Sequence, residues 1–217
     1  MDESPPEAVI LDIDGTLVDS NYQHAVAWQR AFTRCGFDVA AWRIHRLVGM
    51  GGDQIVKTLL GDEVEEEHGE AIREAEGETY SEFMPEVAAF EGAHDLIRRL
   101  KDGGLTVVLA SSAKEDEVEH YIDLLGAGEL ADGHTSAADV DSTKPEPDLI
   151  EVAIEKAGKD SAIMVGDSVW DIEAARRAGL DTIAVLCGGF GEAELTGAGA
   201  VTVVETIDQV AGKILPG

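Results

Sequence analysis

Four short stretches of this 217-residue chain hold the residues that could do chemistry together. Asp12-Ile13-Asp14-Gly15-Thr16 places two carboxylates two positions apart at the end of an apolar run. Ser111-Ser112 sets a hydroxyl pair at the end of another run. Lys144-Pro145 opens a helical pattern, and Gly166-Asp167-Ser168-Val169-Trp170-Asp171 follows a further apolar run with two more acids. Brought to one rim, these ends supply acids, hydroxyls and a single lysine. Carboxylates clustered that closely do not all stay ionised unless a cation shares the site. Oxygen-only donors favour Mg²⁺, which takes a few carboxylates plus waters and a substrate phosphate.

The elements that position these residues are legible from apolar patterning. Ala8 to Ile13, Leu105 to Ala110, Ala162 to Val165, Thr182 to Leu186 and Ala200 to Val204 are short and continuously apolar, the pattern of parallel strands covered on both faces. Helical periodicity fills the gaps at Ala93 to Lys101, Glu115 to Leu125, Asp148 to Ala157 and Ile172 to Ala178. Each ends near a glycine, at Gly103, Gly126, Gly158 and Gly179, which predicts C-caps. Strand–helix alternation predicts an α/β fold, a doubly wound parallel sheet, because parallel neighbours need crossover helices. Ligands of such sheets bind at the carboxyl ends of the strands, where the four stretches stand.

From about Asn21 to Pro85 the alternation stops. Tyr22, Val26, Phe32 and the stretch Arg43 to Leu60 pattern as amphipathic helices, and Glu63 to Phe83 as one long acidic helix. This predicts a helical bundle, residues 20–85, inserted into an α/β core made of residues 1–19 and 86–217. Trp28, Phe32 and Trp42 are expected in the core of that bundle, and the tail after Glu205 is expected to be a last helix.

Asp12 to Ser20, Ser111, Lys144 and Gly166-Asp167 with Asp171 resemble, in order, the four motifs of the haloacid dehalogenase (HAD) superfamily, and the helical insert resembles its cap. The resemblance spans nearly the whole chain. It implies a Rossmann-like core and a phosphoryl-transfer site. Asp12 would be the nucleophile that forms an aspartyl-phosphate, and Asp14 the general acid and base. Asp12, Asp167 and the Asp14 backbone carbonyl would hold Mg²⁺, with Asp171 behind them; as an alternative, Asp171 caps its own helix. Ser111, the Ser112 amide, Gly15, Thr16 and His24 form the implied phosphate- and substrate-binding set, His24 at the position of a hinge histidine. Lys144 would neutralise charge shared by Asp12 and the phosphate.

Within that superfamily Asp14 argues against a dehalogenase, which lacks the second aspartate. A β-phosphoglucomutase-like phosphosugar mutase needs cap cations for a second phosphate. Here the cap loop reads Gly49-Met50-Gly51-Gly52-Asp53 without an arginine, and Glu82 stands where a lysine is expected. The nearby cations that could attract a carboxylate or second phosphate are Arg43, His45, Arg46 and Lys57, each read more readily as a solvated helix charge. A phospho-acceptor signalling module would lack the acid two residues on and the long insert. The best-fitting expectation is an Mg²⁺-dependent phosphomonoesterase of the phosphoglycolate phosphatase-like group, acting on a small phosphorylated metabolite.

Composition narrows partners. With 44 acidic against 16 basic residues the formal charge is −28, which disfavours nucleic acid and anionic membranes. Acidic runs at Asp62 to Glu67 and Glu115 to Glu119 are expected to be solvated helix faces. No apolar run approaches the roughly 18–20 residues of a membrane span, and Met1 to Glu7 is unlike a signal peptide. Cys35 and Cys187 give no CxxC spacing, so neither a disulfide framework nor a zinc site is expected. A monomer in the reducing cytoplasm is the resulting expectation.

Overall fold

A computed structural model describes residues 5–215; the first four residues of the acidic opening lie outside the described residues. In chain order the elements are β1 (Ala8–Asp12), α1 (Asn21–Arg34), α2 (Ala41–His45), α3 (Gly52–Leu60), α4 (Asp62–Phe83), α5 (Ala93–Asp102), β2 (Thr106–Ala110), α6 (Glu115–Leu125), β3 (Gly133–Thr135), α7 (Asp148–Ala157), β4 (Ala162–Gly166), α8 (Val169–Arg177), β5 (Asp181–Val185), α9 (Glu192–Ala198), β6 (Thr202–Val204) and α10 (Ala211–Ile214).

The strands form one parallel sheet in the order β3-β2-β1-β4-β5-β6. Successive side chains of a strand point to opposite faces, so β1 must be apolar from Ala8 to Leu11 to satisfy both. Val9 and Leu11 pack with Leu96 and Ile97 of α5 and Val118 of α6, while Ala8 and Ile10 pack with Ile150 and Ala153 of α7 and Ala174 of α8. The chain leaves β1 for β2 and β3 on one side, then returns to β4 on the other. The strand order therefore reverses beside β1, and the crevice past its carboxyl end is the expected ligand site. Asp12 is the last residue of that strand.

Helices α1 to α4 form a bundle with its own apolar cluster. Ala25, Trp28 and Phe32, at i, i+3 and i+7 on α1, meet Ile55 and Val56 of α3 and Ile72 of α4. That spacing lines one face of a 3.6-residue helix.

Several expectations are corrected. A sixth strand, Gly-His-Thr at 133–135, is too short and polar to read as one; it pairs along the edge of β2. The Arg43 to Leu60 stretch breaks between α2 and α3. Trp42 is 70% exposed rather than in the bundle core, because the five-residue α2 turns only Ile44 inward. Helices α5, α6 and α7 are capped at Gly103, Gly126 and Gly158 as expected, whereas the C-cap of α8 is Ala178, with left-handed Gly179 one residue on. Glu117 in the acidic run of α6 is buried, since it shares a face with Val118 and Tyr121. The tail is a short turn at Ile207–Gln209 followed by the four-residue α10.

Candidate active site

The loop after β1 folds back on itself. The Leu17 and Val18 amides donate to the Ile13 carbonyl, and the Gly15 amide donates to Val18 O at 2.9 Å. Gly15 takes φ +74°, and a Cβ there would lie 2.2 Å from the Asn21 side-chain nitrogen. This turn stands Gly15 and Thr16 behind Asp12 rather than on the cavity wall. The Thr16 hydroxyl sits 3.0 Å from Asp12 Oδ2 and 2.9 Å from Asp167 Oδ1, tying the ends of β1 and β4 together.

Asp12 and Lys144 are almost fully buried, at 4% and 1% exposure. The Lys144 ammonium contacts Asp12 Oδ1 closely and lies 2.8 Å from Asp171 Oδ1. Asp171 does both things the sequence allowed. Its backbone amide donates to Ser168 Oγ and its Oδ2 accepts from the Ser168 amide, capping α8, while Oδ1 faces Lys144. Asp167 accepts from Asn21 Nδ2 at 2.9 Å as well as from Thr16.

The second carboxylate stands in a different environment. Asp14 accepts hydrogen bonds from Ser20 Oγ (2.7 Å) and Ser111 Oγ (2.9 Å), and His24 Nε2 lies 3.4 Å away. His24 also faces Glu76 at 3.1 Å and Glu117 at 3.2 Å and stacks on Tyr80.

Electrostatics separates the two acids. Burial and the neighbouring Asp171 push the Asp12 carboxyl well up, against the pull of Lys144. Burial and Asp171 push Asp167 up to about 7. Burial works against charge on Asp14 too, but His24, Ser20 and Ser111 outweigh it and hold Asp14 below its ordinary value. Burial opposes the charge of His24, yet the carboxylates of Asp14 and Glu117 hold it well up. Burial likewise opposes the charge of Lys144, and Asp12 with Asp171 raises it.

Asp12, Asp167 and Asp171 each offer an oxygen within 4.8 Å of the others. Three buried carboxylates against one ammonium leave an anionic, all-oxygen donor set, which suits a hard divalent cation. The cradle is also tight: a Cβ at Gly188 would lie 1.6 Å from Asp167 Oδ2. The residues present therefore fit Mg²⁺.

A cavity of about 360 Å³ opens between bundle and sheet, with Asp12, Asp14 and Lys144 at its floor. The Ser112 hydroxyl, on its wall, is buried without a hydrogen-bond partner. Ser111 is set back against Asp14. The cap loop from Gly49 to Asp53 lies over the opening and touches the core: the Gly51 amide donates to Lys144 O, and the Thr143 hydroxyl bonds Asp53.

The cations singled out from sequence are elsewhere. Arg46 pairs with Glu194, Lys57 with Asp62, and His45 stacks on Tyr22; Arg43 is exposed, and none of the four lines the cavity. Arg73 of α4 and Lys114 at the start of α6 line it instead. Sequence reasoning also missed Ser20, Asn21 and Glu117. Ser20 closes the Asp12 to Ser20 motif and Asn21 directly follows it, and that adjacency was the available signal. Glu117 had none beyond helical phase.

Residues 9–185 match the haloacid dehalogenase-like hydrolase family. Validoxylamine A 7'-phosphate phosphatase of Streptomyces hygroscopicus subsp. limoneus is 26% identical, over 80% of this chain and 83% of its own length. Phosphoglycolate phosphatase of Aquifex aeolicus is 26% identical, over 83% and 84%. The crystal structure of a hydrolase from Pseudomonas syringae superposes with a TM-score of 0.89 at 32% identity, covering 96% of this chain and 99% of that one. The chain thus belongs to the haloacid dehalogenase-like hydrolases and is an enzyme of the phosphatase kind among them.

Proposed function

We propose that this enzyme hydrolyses phosphate monoesters of small metabolites through an aspartyl-phosphate on Asp12. The observation that carries the reading is the pairing of a buried, lysine-held Asp12 at the carboxyl end of β1 with Asp14 on the same cavity floor. An Asp12 oxygen forms the new bond to phosphorus as the ester P–O bond breaks, and the leaving oxygen takes a proton from Asp14. Water then attacks the acyl-phosphate, gives its proton to Asp14, and releases phosphate and free Asp12. Each half-reaction is easier than direct displacement by water.

Asp14 is held as an anion, which suits the second half-reaction. For the first it takes the proton from His24, which its own carboxylate neighbours keep charged. Lys144 balances charge on Asp12 and the incoming phosphoryl group, and the orphaned Ser112 hydroxyl has a donor to offer a phosphoryl oxygen. Asp12, Asp167 and the Asp14 carbonyl would hold Mg²⁺, which supplies positive charge to the phosphoryl oxygens. Residues 20–85 act as the cap over a core of 1–19 and 86–217. A cavity roofed in this way takes a small phosphorylated metabolite and excludes a polymer; the relatives named for a phosphorylated small molecule support that class.

Phosphate release from a panel of small phosphoesters with Mg²⁺, run beside Asp12→Asn, tests the reading. Asp12→Asn is expected to abolish turnover, and a variant keeping a tenth of the wild-type rate would refute the nucleophile. Conversion of glucose 1-phosphate to the 6-phosphate with added bisphosphate, and no hydrolysis, would instead establish a mutase.

A further inference from the structure

Lys144 differs from the other groups of the site in what holds it. Asp12 closes β1, Ser111 follows β2 and Asp167 follows β4, so the sheet itself fixes them. Lys144 lies between β3 and α7, where residues 140–147 form neither strand nor helix. Among the described residues, the backbone of 140–145 makes one hydrogen bond outside that segment, and its donor is the Gly51 amide of the cap loop, 3.4 Å from the Lys144 carbonyl. The neighbouring side chain turns the same way: the buried Thr143 hydroxyl donates to Asp53 Oδ1 in the first turn of α3. The other Asp53 oxygen accepts from Gln54 Nε2 at 2.8 Å. Gly51 allows this close approach, since a Cβ there would overlap the Thr143 hydroxyl. The chain leading into the loop is seated on α8, where the Trp170 indole N–H donates to the Arg46 carbonyl at 3.2 Å. Asp53 also lines the cavity, and there its charge alone would only repel a phosphate.

Resting on the phosphatase reading above for the role of Lys144, we propose that Asp53 is a positioning residue that acts through Thr143. The Asp53–Thr143 and Gly51–Lys144 bonds of the docked cap loop set the irregular segment so that the buried ammonium meets Asp12 and Asp171. Without them the segment is loose, and Lys144 leaves Asp12 for solvent. The cap thereby completes the charge balance of the core site instead of only roofing it.

Asp53→Ala and Thr143→Val remove the contact from its two sides, and Thr143→Ser keeps the donor. Lysine acetylation of the metal-free protein, read residue by residue by mass spectrometry, reports where Lys144 stands whatever the reaction, with exposed Lys159 as internal standard. A buried lysine reacts through its opened fraction, and losing one hydrogen bond to a charged group shifts that fraction about 10–100-fold. Labelling of Lys144 is therefore expected to rise at least about tenfold in both variants, beyond what urea unfolding of each assigns to global opening, and to stay at the wild-type rate in Thr143→Ser. Calorimetric binding of inorganic phosphate with Mg²⁺ adds a test of sign. Removing the Asp53 charge would by itself tighten phosphate binding, whereas a displaced Lys144 is expected to weaken it about tenfold in both variants. Tighter phosphate binding by Asp53→Ala with no change in Thr143→Val overturns the proposal, as does Lys144 labelling no faster than global opening allows. A wild-type protein that neither binds phosphate nor releases it from any ester overturns the phosphatase reading instead, and the labelling then decides the role of Asp53.

Discussion

Replacing Lys144 with methionine separates the electrostatics of this site from its packing. Methionine keeps most of the apolar stem but removes the ammonium that faces Asp12 and Asp171. Asp12, Asp167 and Asp171 are each at least 96% buried, and without the lysine none of them has a cationic neighbour in contact. Breaking a buried pair from one side costs about 3–5 kcal/mol, because the other charge stays behind unpaired. For a chain of this length each kcal/mol lowers Tm by roughly 2–4 °C. Lys144→Met in EDTA is therefore expected to melt about 6–20 °C below wild type. Asp12→Asn, at the other end of the same contact, has the opposite sign. Burial and Asp171 already disfavour the Asp12 charge, so removing it leaves stability unchanged or raised. Scanning calorimetry and urea unfolding of both variants, with and without Mg²⁺, measure this directly. A Lys144→Met loss below about 1 kcal/mol, the range of an exposed pair, would refute the reasoning. An Asp12→Asn loss equal to that of Lys144→Met would refute it too.

Other perturbations test neighbouring parts of the argument. Asp167, with its carboxyl at about 7 in the fold, binds a proton in the native state at pH values where the unfolded chain does not. That destabilisation is complete above about pH 7 and relieved below it; about 1.4 kcal/mol is recovered between pH 8 and pH 6, so the metal-free protein is expected to melt about 3–5 °C higher at pH 6 than at pH 8. Mg²⁺ should stabilise it more at pH 8, and an equal gain at both values would contradict the shift. Asp14→Asn should lower kcat by roughly 10²–10⁴-fold, the range for general acid–base catalysis, and steady-state kinetics with an unchanged rate would point to another acid. Gly188→Ala places a Cβ against Asp167 Oδ2. It is expected to weaken Mg²⁺ binding about 10–100-fold by titration calorimetry, and wild-type affinity would show that Asp167 lies outside the metal site.

The sequence by itself determined the strands that carry the chemistry. A run such as Ala8 to Leu11 is apolar at every position because helices cover both faces of its sheet, and that demand is local enough to read. The same logic exposed Asp12 and Asp14, since acids directly after such a run stand at a strand end. The bundle of α1, α3 and α4 was legible from the spacing of Ala25, Trp28 and Phe32, whereas β3 was not, because three polar edge residues carry no period. Tertiary structure alone decided the partners. Lys144 is 132 positions from Asp12 and Asn21 is 146 from Asp167, so no local pattern joins them. It also decided which charges face the cavity. Arg73, Lys114 and Glu117 look like any other solvated helix charges until α4 and α6 are packed side by side at the cavity, where the Tyr80 and Tyr121 hydroxyls meet. Helical phase says which residues share a face, but what that face meets depends on a packing contact distant in sequence.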